Sequence, residues 1–216
     1  MAGRAEIEYQ DTLILKNVWL LNDQNRWESA RNPLNRYSSV RKDISMQKLG
    51  PGYAFAKKLS ELNPDIQIGL VVNARGGTSI GQWAPDSSLY NKAIRRTRLA
   101  IAQGGVLKGI LWNQGGSDRK RPEHYFTKLE HLIYRFRSDF NNDSLAFVVG
   151  QIGSFRTNSD EINQIFSDVS KKICNTGCAS DEGVTHLSDN THFDSVGQRM
   201  MGERYAIEID RIVYEK

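Results

Sequence analysis

Cysteine and histidine are scarce in this chain, with two of the first and four of the second among 216 residues. So few thiols exclude a scaffold stapled by several disulfides. Cys174 and Cys178 are separated only by Asn-Thr-Gly, a spacing that leaves a small-loop disulfide open and, with no Cys/His cluster nearby, makes a weak metal pair. His124, His131, His186 and His192 show no helix-face ligand spacing, so no metal is expected. Long apolar runs are missing too. No stretch approaches the roughly 18 residues that cross a bilayer, so no membrane partner is expected, and Met1 to Glu6 lacks the apolar core of a signal peptide. Nor is charge of one sign segregated. The formal net charge is +4, yet Lys and Arg are interleaved with Asp and Glu, and only Arg95-Arg96-x-Arg98 and Arg119-Lys120-Arg121 cluster. Both flank or sit on helical segments, where a solvated face accounts for them, and no nucleic-acid partner is expected. Phosphate-cradling glycine loops do not follow any strand, so no nucleotide cofactor is expected.

What is present is a repeated alternation of apolar runs and amphipathic segments. The length fits one domain, residues 1–216, with a core large enough to need no staples. Leu49 to Leu62 opens on Gly50-Pro51-Gly52, carries Tyr53, Ala56 and Leu59 at helical spacing and stops at Asn63-Pro64. Strand-like runs follow at Ile66 to Val72, Leu107 to Trp112 and Leu145 to Ile152, with helices expected over Ser87 to Gln103, Glu123 to Phe140, Glu161 to Cys174 and Ser195 to Tyr214. Val18 to Asp23 and Arg26 to Ala30 read as a small hairpin ahead of these units. Strand, loop and helix in regular succession predict an α/β fold with a mainly parallel sheet, whose sites lie at the carboxyl ends of the strands.

Three loops after strands carry candidate chemistry. In Asp189-Asn190-Thr191-His192 the carboxylate can fold back on imidazole Nδ1, leaving Nε2 free to take a proton; a surface ion pair is the plainer alternative. In Asn73-Ala74-Arg75-Gly76-Gly77-Thr78-Ser79-Ile80 the paired glycines either let backbone N–H groups approach an oxyanion or simply make a tight turn. In Trp112-Asn113-Gln114-Gly115-Gly116-Ser117-Asp118 the Gln114 amide is either an oxyanion donor or a structural loop amide.

Taken together and in this order, these blocks resemble those of the SGNH (GDSL-like) hydrolases, most closely the carbohydrate acetylesterase branch that includes acetylxylan esterases and sialate O-acetylesterases. The resemblance implies a flavodoxin-like three-layer α/β/α sandwich, a Ser–His–Asp triad and hydrolysis of acetyl esters on an acetylated carbohydrate substrate, without a cofactor. It makes His192 the general base, Asp189 its orienting acid, and Gly77 and Gln114 the oxyanion donors. A secreted or periplasmic enzyme is compatible with the resemblance. Trp83 is the candidate exposed aromatic platform for a sugar.

The chain departs from that pattern twice. Gly116 stands where the branch has a glutamate, removing a carboxylate that shapes the loop. The nucleophile of the family lies in a Gly-Gln-Ser-Asn segment after the first strand, commonly continuing Met-Ala-Gly-Arg, and this sequence starts at Met1-Ala2-Gly3-Arg4. The first strand and its serine are therefore expected ahead of Met1. Ser79, Ser117 and Ser188 lie in the candidate loops, but none has the strand-to-helix setting that exposes a nucleophile. The competing expectation is a non-catalytic descendant that binds glycans in the same cleft.

Overall fold

Ala146-Phe147-Val148-Val149-Gly150 is buried at every position, the pattern of a strand covered on both faces. In the computed structural model, which describes residues 2–215, it forms β5 (Ala146–Gly150) of the following succession. β1 (Val18–Leu21) and β2 (Trp27–Ser29) form the expected hairpin, followed by α1 (Gly52–Leu62), β3 (Ile68–Leu70), α2 (Ser88–Ala102), β4 (Gly109–Trp112) and α3 (Tyr125–Asp139). After β5 come α4 (Asp160–Lys172), β6 (Thr176–Ala179) and α5 (Ser195–Val213).

Successive strand residues point to opposite faces, and β5 shows what each face meets. Ala146 and Val148 join one core with Tyr53, Phe55 and Leu59 of α1 and Met201, Tyr205 and Ile209 of α5. Phe147 and Val149 join the other with Tyr90 and Ile94 of α2, Leu129, Ile133 and Phe136 of α3, and Phe166 and Val169 of α4. Helices on both faces of a strand layer make the three-layer α/β/α sandwich expected from the sequence. Capping fits the helix starts: the Ser87 side chain accepts from Tyr90 N–H, and the Asp194 side chain from Gly197 N–H.

The strand layer is divided in two. β1 pairs antiparallel with β2 and parallel with β3, placing Val18 opposite Ile68 and Leu20 opposite Leu70. β4 and β6 flank β5, both parallel to it, with Trp112 opposite Val149 and Val148 opposite Gly177. The orders are β2-β1-β3 and β4-β5-β6, so β3 and β4 each have one unpaired edge among the described residues. These strands line a cavity of about 1270 Å³, with Phe55, Leu59 and Ile209 from one helical layer and Ala93 and Phe136 from the other. That exceeds the roughly 300–1,000 Å³ of small-molecule pockets. Gly109, Ile110 and Leu111 of β4 are accordingly only half-buried, although helices cover both faces of their sheet.

Cys174 and Cys178 are separate free thiols, the first exposed, which corrects the small-loop disulfide left open by their spacing. β6 runs extended from Thr176 and carries Cys178 away from Cys174 into the sheet. Among the described residues no helix is long and apolar enough to cross a membrane.

Candidate active site

Asp189 and His192 lie in the loop from β6 to α5. An antiparallel bridge between His186 and Phe193 closes that loop, and Leu187 N–H donates to the His192 carbonyl at 2.8 Å. Phe193 anchors it from below, buried and edge-on to Phe155 with ring centres 5.7 Å apart. Asn190 adopts a φ of 48°, left-handed backbone that Asn tolerates better than most residues. The Asp189 carboxylate is thereby folded back. Its Oδ1 accepts the N–H groups of Thr191 at 2.9 Å and His192 at 3.0 Å, and its Oδ2 lies 2.7 Å from His192 Nδ1.

The His192 side-chain hydrogen bond, then the two backbone N–H groups, hold the Asp189 carboxyl down to about 2. An ionised carboxylate only accepts. The hydrogen bond therefore places a hydrogen on Nδ1, and in the neutral imidazole the lone pair is on Nε2. The His192 side chain is 43% exposed, and Nε2 makes no hydrogen bond among the described residues. Among the described residues no serine hydroxyl hydrogen-bonds to it; Ser79 caps the short 3-10 turn Ile80–Trp83, and Ser117 and Ser188 are exposed.

Gly77 and Gln114 line the same cavity as Thr191 and His192, at the carboxyl ends of the strands. Gly77 has a φ of 72°, where a side chain would be strained, and its N–H donates to no group among the described residues. Gln114 is held on all sides. Trp112 Nε1–H donates to the Tyr125 hydroxyl at 3.2 Å, and that hydroxyl donates to Gln114 Oε1 at 2.8 Å. Burial pushes the Tyr125 phenol pKa upward, so it remains a donor. Gln114 Nε2 then donates to the Thr78 carbonyl and to Asp118 Oδ2, each at 2.7 Å. Asp118 also accepts Ile80 N–H at 3.0 Å, tying the second loop to the first.

Trp83 requires a correction. It is 6% exposed and meets Trp112 edge to face at 5.6 Å, while its indole N–H donates to Thr78 Oγ1 at 2.9 Å. Packing and a satisfied polar edge make it a prop under the Gly77 loop, not an exposed sugar platform. Sequence reasoning missed Tyr125, which lies outside the quoted blocks, and Arg156, whose guanidinium lies over Gly116; an unusual glycine at 116 was the one signal for the latter. Among the described residues no three His, Cys, Asp or Glu side chains gather to hold a metal ion.

Comparison with known proteins shows the family and the fold. Residues 1–211 match the family described as carbohydrate esterase, sialic acid-specific acetylesterase. A probable carbohydrate esterase of Arabidopsis thaliana is 34% identical over 194 residues, spanning 86% of this chain and 72% of that protein. The crystal structure of an Arabidopsis thaliana protein superposes with a TM-score of 0.84 at 30% identity, over 94% of this chain and 84% of the other. A carbohydrate acetylesterase from Xanthomonas citri shares the fold at a TM-score of 0.64 and 21% identity, over 92% of this chain and 48% of that one.

Proposed function

The chain belongs to the carbohydrate esterase family of sialic acid-specific acetylesterases, and from that membership we propose that it removes O-acetyl groups from sugars by a Ser–His–Asp mechanism. The observation that carries the mechanism is the 2.7 Å contact between Asp189 Oδ2 and His192 Nδ1. It fixes the tautomer and leaves Nε2 as the base.

The nucleophile in this reading is a serine on a strand ahead of Met1, seated between β3 and β4. Ala2 supports that placement: a Cβ on Gly76 would lie 3.9 Å from its own Cβ, so Ala2 sits beside the loop that follows β3. A parallel strand arriving there ends at the His192 side of the cavity. His192 Nε2 takes the serine proton as the oxygen attacks the acetyl carbonyl. Gly77 N–H and Gln114 Nε2–H hold the oxyanion, the latter exchanging the Thr78 carbonyl for it. His192 then protonates the leaving sugar oxygen, and water attacks the acetyl-enzyme with His192 again as base.

Acetate release from acetylated sugars tests the reaction. We expect release from a chain extended upstream with the Gly-Gln-Ser-Asn strand, and a strong preference for acetyl over butyryl esters; a folded extended chain that releases no acetate ends the esterase reading. The glycan-binding alternative rests on Gln114, both of whose amide hydrogens are already engaged. Sugar binding without hydrolysis is its expected signature.

A further inference from the structure

A glutamine amide can present either its oxygen or its nitrogen, and the neighbours of Gln114 decide which one faces the cavity. The Trp112 indole only donates. The Tyr125 hydroxyl therefore accepts that hydrogen at 3.2 Å and turns its own toward Gln114 Oε1 at 2.8 Å. On the other side stands Asp118, whose Oδ2 lies 2.7 Å from Gln114 Nε2. A carboxylate only accepts. An amide turned the other way would set Oε1 against that carboxylate and against the Thr78 carbonyl, also 2.7 Å from Nε2.

The same carboxylate oxygen has a second partner, Ile80 N–H at 3.0 Å. Ile80 opens the 3-10 turn Ile80–Trp83, and the first N–H groups of a helix have no acceptor within it. Asp118 supplies one from 38 residues away. Gly77 lies three residues before Ile80 in the same loop, which is further tied by Thr78 Oγ1 donating to the Arg75 carbonyl at 3.1 Å. Asp118 itself sits in a closed turn. Its N–H donates to the Gly115 carbonyl and its carbonyl accepts from Arg121 N–H, each at 2.8 Å. One carboxylate oxygen thus holds the side-chain donor of the proposed oxyanion hole directly, and the loop bearing the backbone donor through Ile80.

We propose that Asp118 is a positioning residue that keeps Gln114 a donor toward the cavity and sets its spacing from Gly77. The proposal rests on the esterase reading for what those two donors hold. When the oxyanion displaces the Thr78 carbonyl from Nε2, the Asp118 contact is the one that stays on that nitrogen, so the second hydrogen remains aimed at the cavity. A charged acceptor makes that contact roughly twice as strong as a neutral one would.

Two readouts separate this role from support of the turn alone. In the amide NMR spectrum of the 216-residue chain, the Gln114 side-chain pair is identified by its loss in Gln114→Leu. In Asp118→Asn the proton facing residue 118 should move upfield and exchange faster, and the Gly77 amide should shift with it. Asp118→Ala should enlarge both changes. In the upstream-extended chain, Asp118→Asn should lower kcat for p-nitrophenyl acetate roughly ten- to hundredfold, the scale of an ångström-sized misplacement. KM should hardly change, because the contact acts on the transition state. Unfolding midpoints establish that each variant is folded. Unmoved Gln114 and Gly77 signals in a folded Asp118→Asn chain, or an extended variant that keeps full kcat, overturns the proposal. So does a loss of kcat that is recovered well below the unfolding midpoint, which marks support of the fold only. If the extended wild type releases no acetate, the esterase reading falls, and the Gln114 and Gly77 signals alone decide whether Asp118 orients them.

Discussion

Tyr205 donates its hydroxyl hydrogen to the Trp112 carbonyl at 2.9 Å, tying the helix that follows the Asp189–His192 loop to the strand end that carries Gln114. The same oxygen accepts from Asn113 Nδ2 at 3.2 Å, and the side chain is fully buried. Two of the three site loops are thus held together by one phenol. Tyr205→Phe keeps the ring and leaves both polar partners unsatisfied. It should cost about 1–3 kcal/mol in urea unfolding; an unchanged midpoint would show that the bond carries no stability.

The low pKa of Asp189 has a sign that can be checked. A carboxyl depressed in the folded state contributes stability above its unfolded value of about 3.9, and that contribution is lost as the pH falls through about 2. Followed by carboxyl carbon NMR, Asp189 should titrate near 2 in the wild type. His192→Ala removes the largest cause, and the titration should move up toward the ordinary range. A midpoint unmoved by that substitution contradicts the paired geometry.

Hydrogen exchange distinguishes the two kinds of strand edge. Amides of β5, flanked on both sides, should exchange far more slowly than those of β3 and β4 that face the cavity. Adding the upstream strand should slow exchange at Ile68–Leu70 and Gly109–Trp112 while leaving β5 as it was. No change at those seven amides would mean that nothing pairs there.

The two thiols should differ in reactivity. Burial, and then the Glu208 charge, pushes the Cys178 thiol up to about 12, whereas Cys174 is exposed. Since the thiolate is the nucleophile, iodoacetamide at neutral pH should label Cys174 and spare Cys178. Equal labelling would place Cys178 outside the sheet.

Much of this was legible in the sequence because it depends on local pattern. The periodicity of Tyr53, Ala56 and Leu59 identified α1, the buried run around Val148 identified β5, and the Asp189–His192 spacing is closed within a single turn. What the sequence hid depends on groups brought together from far apart. The hydrogen bonds of Gln114 to Thr78 and Tyr125, the burial of Trp83 against Trp112 and the placing of Arg156 over Gly116 are tertiary relations with no sequence period to announce them. Gly116 gave a visible departure from the family pattern, but its consequence required knowing which side chain fills the space.

In the proposed mechanism His192, oriented by Asp189, serves a serine carried on a strand between β3 and β4. The most direct measurement is p-nitrophenyl acetate hydrolysis by the upstream-extended chain, by the same chain with alanine for the added serine, and by its His192→Ala variant. Turnover is expected in the first, and its loss in the other two with folding intact. Hydrolysis that survives the loss of the serine, or a 216-residue chain that is already active and depends on His192, would contradict it.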